Sequence, residues 1–263
     1  MTFSLIRLLS LGLVALGLFA GLAKPAAGDW TRWRGPDLNG ISSETGWLAK
    51  WPDDGPKRLW KAKVGTGFSS VSVANGKVYT LGNSGRGRGE EKDTVFCFDA
   101  ATGKAIWSHA YEAKLDPKYY AGGPSGTPTV DGDRVFTLGK RGQLICFGAA
   151  DGHVVWQKNI ATETKGKRPT WGFAGSPLVI GGTVFVNVGA HGTALDKKTG
   201  KILWSTGLEA ASYSSIVPHV RDGRQELVMF AHKALVALDP KTGSVFWSYP
   251  WETKHDTNVA DPI

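Results

Sequence analysis

The sequence predicts an all-β chain, a β-propeller of four-stranded antiparallel blades, and two observations carry that prediction. The first is an eleven-residue pattern that occurs four times: Cys97 to Trp107 (CFDAATGKAIW), Cys146 to Trp156 (CFGAADGHVVW), Ala194 to Trp204 (ALDKKTGKILW) and Ala237 to Trp247 (ALDPKTGSVFW). Every copy places a glycine four residues before its tryptophan, at Gly103, Gly152, Gly200 and Gly243. The tryptophans are 49, 48 and 43 residues apart, and Trp60 precedes Trp107 by 47. A period of about 40–50 residues holding several short strands is that of one propeller blade. The second observation is the strand pattern inside each period. SVSVANGKVYTLG (70–82), TPTVDGDRVFTLG (127–139) and SPLVIGGTVFVNVG (176–189) place Asn-Gly, Asp-Gly or Gly-Gly between β-branched or aromatic runs. Such dipeptides tolerate the positive φ of a tight hairpin turn. The Thr-Gly pair of the eleven-residue unit serves the next two strands, giving four strands per period.

The repeated unit resembles the tryptophan-docking motif, A-x-D-x-x-T-G-K-x-x-W, of pyrroloquinoline quinone (PQQ)-like repeat propellers, an exported group with BamB-like and quinoprotein-like members. The resemblance implies that Trp107, Trp156, Trp204 and Trp247 rivet blade to blade. Each indole would pack between the small first residue of its own unit (Cys97, Cys146, Ala194 or Ala237) and the glycine region of a neighbouring unit. Asp99, Asp196 and Asp239 would hold the turns. The second copy has Gly148 in place of the aspartate and Asp151 in place of the threonine, so its turn is expected to be less well tied. The family spans scaffolds and dehydrogenases, and the resemblance therefore implies fold more than activity.

Residues 1–28 read as an export signal: Arg7 precedes an uncharged apolar run from Leu8 to Ala23, and Ala26 and Gly28 supply small residues for cleavage. Sixteen apolar residues fall short of the roughly 20 that span a bilayer, so no stable span is expected after cleavage. No cysteine follows the run to carry a lipid. The expected location is periplasmic or extracellular. Without Arg7 and Lys24 the net charge falls from +8 to +6, too modest and scattered for nucleic acid. The cluster Arg86, Arg88 and Lys92 is broken by Glu90 and Glu91 and reads as a solvated loop. Cys97 and Cys146 occupy equivalent positions in consecutive blades, whose faces lie about 10 Å apart; a disulfide needs Cα atoms within ~7 Å. Two buried free thiols are expected.

Residues 29–56 form an irregular leader rich in Trp, Gly and Pro. Its W-R-G-P-x-x-x-G opening resembles that of exported PQQ-like repeat proteins. Trp30, Trp33, Trp47 and Trp51 are expected to clamp the leader to the propeller's flank, with a ligand-stacking platform as the other reading. Residues 57–263 are the propeller, with Lys57 to Lys63 as a sealing strand and the tail after Trp247 as the first strand of a further blade. Four units plus a sealing strand describe an incomplete ring, truncated at its C-terminal side. An arc of that kind is expected to self-associate through its open blade faces.

The connections from one blade's outer strand to the next blade's inner strand project onto one face around the channel. They carry Tyr119, Tyr120, Trp171, Phe173, Tyr213, His255, Asp256 and Asn258 as candidate channel-mouth residues for a protein or small-molecule ligand. The family's dehydrogenases imply PQQ with a calcium held by Glu, Asn and Asp and a carboxylate base. Here Asp256, Asn258 and Asp261 cluster in one segment, and neither adjacent cysteines nor C-x-x-C-H is present. The six histidines show no metal-ligand spacing, and no nucleophile elbow occurs. The sequence therefore reads as an exported binding or assembly scaffold with no catalytic residues, no metal and no cofactor. The alternative is a PQQ- and calcium-dependent alcohol or sugar dehydrogenase completed by further C-terminal sequence.

Overall fold

The computed structural model describes residues 28–85 and 91–263. The expected export signal, Gly28 apart, and Arg86, Arg88 and Glu90 of the basic loop lie outside the described residues. Four four-stranded antiparallel sheets follow one another along the chain, each in simple sequence order. Blade one is β1 (Ser72–Ala74), β2 (Lys77–Asn83), β3 (Lys92–Asp99) and β4 (Ala105–Glu112). Blade two is β5 (Thr129–Asp131), β6 (Arg134–Leu138), β7 (Gln143–Gly148) and β8 (Val154–Asn159). After helix α1 (Ile160–Thr164), blade three is β9 (Leu178–Ile180), β10 (Thr183–Val186), β11 (Thr193–Asp196) and β12 (Ile202–Ser205). Blade four is β13 (Val217–Arg221), β14 (Arg224–Phe230), β15 (Ala234–Leu238) and β16 (Val245–Pro250). The short first strands pack beside one another, β1 against β5 and β5 against β9, so the blades fan out from an inner edge into an open arc.

Burial follows from this stacking. β7, in blade two, is covered on both faces by its neighbours and reads as a continuous apolar run, LICF, instead of alternating. Three apolar clusters fill the spaces between successive blades. One holds Cys97, Trp107 and Phe147; the next Cys146, Trp156 and Val184; the third Ala194, Phe185 and Leu238.

The eleven-residue unit has one geometry four times over. Its small first residue pairs across the ladder with its own tryptophan, Cys97 with Trp107, Cys146 with Trp156, Ala194 with Trp204 and Ala237 with Trp247. The register shifts by a bulge immediately afterwards. The indoles of Trp60, Trp107, Trp156 and Trp204 lie over Gly103, Gly152, Gly200 and Gly243 of the following unit. A Cβ there would stand 2.5, 2.5, 2.7 and 2.6 Å from the ring. These glycines also hold φ between +68° and +73°, so glycine is required twice over. Each of these indole N–H groups donates to a carbonyl of the same turn: Ala100, Ala149, Lys197 and Pro240, at 2.8, 3.2, 2.9 and 3.0 Å. Trp247 differs, donating to Glu226 of its own blade at 3.0 Å.

Asp99 and Asp196 accept from the backbone N–H and hydroxyl of the threonine three residues on, and Asp239 from the Lys241 N–H. The second turn was expected to be less well tied, but it has its own tie. Asp151 Oδ1 accepts from the His153 N–H, and His153 Nδ1 lies 2.6 Å from the same oxygen. The imidazole occupies the space that a side chain at position 148 would need, which accounts for Gly148.

Both cysteines are free and fully buried. Burial pushes the Cys97 thiol up to about 11 and the Cys146 thiol to about 12, leaving negligible thiolate at neutral pH. Ellman's reagent is therefore expected to label neither thiol in the native protein and both in 6 M guanidinium; rapid native labelling would contradict this packing.

Three expectations need correction. Residues 57–63 form no strand, because no described residue offers them a ladder partner; only the Trp60 indole is fixed, over Gly103. The leader follows the inner edge of the blades and not their flank. Trp30 and Val73 exchange backbone hydrogen bonds, Thr31 O accepts from Val130 N–H, and Leu38 packs on the cluster between blades three and four. Trp33, Trp47 and Trp51 are exposed. The tail is not a new strand: Ser248 to Pro250 complete β16, and a 3-10 turn at Lys254–Asp256 follows. The connection after β8 contains α1, which the strand pattern did not foresee. Asn159 caps it by accepting from Thr162 N–H, and Lys165 ends it in a left-handed conformation.

Candidate functional site

The face formed by the inter-blade connections carries an open cleft of about 770 Å³. Its floor is set by the residue two positions before each blade's inner strand. Ser70 N–H donates to Thr127 Oγ1 (3.3 Å), Thr127 N–H to Ser176 Oγ (2.9 Å), and Ser176 N–H to Ser215 Oγ (3.1 Å). Ser215 N–H closes the series on Asp261 Oδ1 (2.6 Å). Each blade thus passes its first amide to the hydroxyl of the next, and Asp261 takes the place of a hydroxyl at the far end. Thr127, Ser176 and Ser215 are all at least nine-tenths buried, and all three line the cleft.

Aromatic rings make the walls. Phe68 and Tyr120 lie 5.4 Å apart between ring centres, and Trp171 and Tyr213 lie 5.6 Å apart, both pairs tilted. The Tyr120 hydroxyl donates to Trp171 O (3.3 Å), joining the two pairs. Behind Tyr120 stands the buried Lys140. Its ammonium is 5.0 Å from the ring centre and is anchored on the carbonyls of Leu115 and Asp116. Burial raises the Tyr213 phenol above its ordinary range, so it stays neutral. Trp33 of the leader closes one side, its indole N–H donating to Asp261 Oδ2 at 2.6 Å. Arg34 and Lys118 put two cations on the rim.

Of the residues predicted at the mouth, Tyr119, Tyr120, Trp171 and Tyr213 line this cleft, Tyr119 almost wholly in solvent. Phe173 does not: it is 1% exposed and belongs to the core between blades two and three. Asn258 is turned away and buried, its amide donating to the carbonyls of Ala231, His232 and Trp251. It fastens the tail. His255, at φ +67°, is exposed outside the lining, and Asp256 ends the 3-10 turn beside it. Sequence reasoning missed Phe68, Arg34, Lys118 and the hydroxyl floor. The signal for the floor was present as a hydroxyl residue after glycine and before proline, in Gly126-Thr127-Pro128 and Gly175-Ser176-Pro177.

Calcium, which the dehydrogenase resemblance implies, takes about six to eight oxygen ligands. The residues here do not fit it. Asp261 has an N–H on each oxygen and is the one carboxylate side chain among the described residues of the cleft lining, and Asn258 is buried outside that lining. Among the described residues no group of three or more His, Cys, Asp or Glu side chains is placed to hold a metal ion. No reaction step is derived through PQQ or calcium.

A family model described as outer membrane protein assembly factor BamB matches residues 91–261. The chain belongs to the BamB family. Among solved structures it is similar to BamB from Moraxella catarrhalis, with 17% identity and a TM-score of 0.47 over 70% of this chain and 63% of that one. A europium-containing methanol dehydrogenase gives 16% identity and a TM-score of 0.51 over 70% of this chain and 41% of that one. The quinohemoprotein alcohol dehydrogenase ADHIIG from Pseudomonas putida HK5 gives 16% and 0.50 over 68% and 34%. At such identities the likeness is one of fold. The chain spans less than two thirds of the length of each of these structures. No curated protein matches the sequence. No helix of the described residues is long and apolar enough to cross a membrane.

Proposed function

We propose that this BamB-family chain is an exported, non-catalytic scaffold that holds segments of partner proteins in its mouth cleft, in the periplasm or outside the cell. The observation that carries the reading is the state of Asp261. Asp261, the one carboxylate side chain among the described residues of the lining, accepts from Trp33 and Ser215 and is committed to holding the leader and a blade together. What remains is an apolar, aromatic surface with hydroxyls and cations, which binds and orients but offers no free carboxylate base. The description of the matched family, an assembly factor, supports the same reading.

Residues 29–263 are expected to capture reduced, carboxymethylated α-lactalbumin as an unfolded probe and to ignore its native form. Trp171→Ala should weaken capture by about tenfold, since a central aromatic anchor is worth roughly 1–3 kcal/mol. The decisive counter-result is retention of quinone absorbance after incubation with PQQ and calcium, accompanied by oxidation of an alcohol to a dye acceptor. That outcome would replace the scaffold by the dehydrogenase.

A further inference from the structure

We infer that the cleft selects partner segments carrying a carboxylate beside an aromatic or aliphatic side chain; the inference rests on the scaffold reading and names the chemistry of its partner. The floor is the reason. In the hydroxyl series each of Thr127, Ser176 and Ser215 accepts an amide N–H, and none of the three is a donor in the described hydrogen bonds. A hydroxyl that already accepts has its proton left to give, and acceptance polarises it toward giving. Three such O–H groups, one from each of three successive blades, line one cavity. They face the open cleft, so an acceptor-rich group of a ligand completes them in place of water.

The charges select among acceptors. Arg34 and Lys118 stand on the rim, Lys140 lies behind Tyr120, and Asp261, the one carboxylate side chain among the described lining residues, has both oxygens engaged by N–H groups. Hydrogen bonds from such donors to a carboxylate are shorter and about twice as strong as those to a neutral amide. The side chains of the lining set two cations against one carboxylate, so a cationic ligand is disfavoured. The tilted pairs Phe68–Tyr120 and Trp171–Tyr213 receive a flat or branched apolar side chain on each flank of the carboxylate. The cleft is open and runs across the connections of several blades, which suits an extended chain at about 3.3 Å per residue better than a compact solute.

The test uses two peptides, Ac-Gly-Phe-Glu-Phe-Gly-NH2 and the same peptide with Gln for Glu, titrated into residues 29–263 by calorimetry at low ionic strength. The Glu peptide is expected to bind about tenfold more tightly, with the advantage reduced in Lys118→Gln and in Arg34→Gln and shrinking as salt is added. Lys118 is exposed, so its variant tests charge without disturbing the core. Equal affinities for the two peptides would overturn the carboxylate preference and leave the scaffold reading standing. Phenylacetate binding as tightly as the Glu peptide would overturn the extended-segment assignment. Failure of both peptides in a protein that still captures the unfolded probe moves partner binding out of the cleft; failure of peptides and probe together removes the scaffold reading as well.

Discussion

Trp156→Ala is expected to lower the unfolding free energy by about 3–5 kcal/mol, the range for emptying a well-packed aromatic site. Trp156 is 8% exposed, sits in the cluster between blades two and three, covers Gly200, and donates to Lys197 O. Its removal opens a cavity between two blades that are themselves covered and cannot collapse freely. The same substitution at Trp247 should cost only about 1 kcal/mol. That indole is half-buried, bonds to Glu226 within its own blade, and carries Arg221 at 6.0 Å from its ring on the outer side. Urea denaturation of the two variants measures the difference directly. Equal losses would mean that the interior and terminal tryptophans are held alike, against the geometry described above.

Asp93→Asn is expected to stabilise the protein at neutral pH and to do nothing below pH 4. Asp93 on β3 is 2% exposed and accepts from Asn83 Nδ2 at 2.7 Å. Burial raises its carboxyl from 3.8 to about 6, with the Asn83 hydrogen bond and the Lys140 charge opposing the rise. The folded state therefore binds this proton more tightly than the unfolded chain. The stabilisation is complete below the unfolded value near 3.8, is lost as pH rises toward 6, and stays lost above it. A two-unit shift corresponds to about 3 kcal/mol. Carboxylates such as Asp99, Asp116 and Asp196 are held below their ordinary values by hydrogen bonds and slope the other way, so the difference between variant and parent is the quantity to follow. That difference should grow by about 2–3 kcal/mol between pH 4 and pH 7.5. A flat difference would show that Asp93 is charged without penalty in the fold.

The blades were legible in the sequence because their information is local. A turn that needs positive φ writes Gly or Asn into the chain, and a small residue paired with a tryptophan returns at every period. Gly148 was visible as a departure, but its compensation was not, because the tie between Asp151 and His153 depends on where an imidazole points. The spacing of Trp60 predicts a sealing strand over Lys57 to Lys63, yet a strand exists only where a neighbour supplies hydrogen bonds. At the mouth, the aromatics of the connections place Tyr120, Trp171 and Tyr213 in the cleft lining. They failed for Phe173, since a large apolar ring serves a core as readily as a cleft. The hydroxyl floor escaped because Thr127, Ser176 and Ser215 are ordinary strand-end residues until three blades bring them together. Asp261 escaped as an organiser for the same reason: its partners, Trp33 and Ser215, are remote in sequence.

Within the arc, each blade pairs within itself and packs on the next, so blades can form in succession as the chain emerges, each closing a short loop onto the last. The cleft obeys a different schedule. Its Trp33–Asp261 bond connects positions 228 residues apart, and the leader that supplies Trp33 rests on blades one and two and reaches, through Leu38, the cluster between blades three and four. That closure has the highest entropic cost in the described fold and comes after the surfaces it bridges. The cleft is thus complete only once the leader has closed onto Asp261.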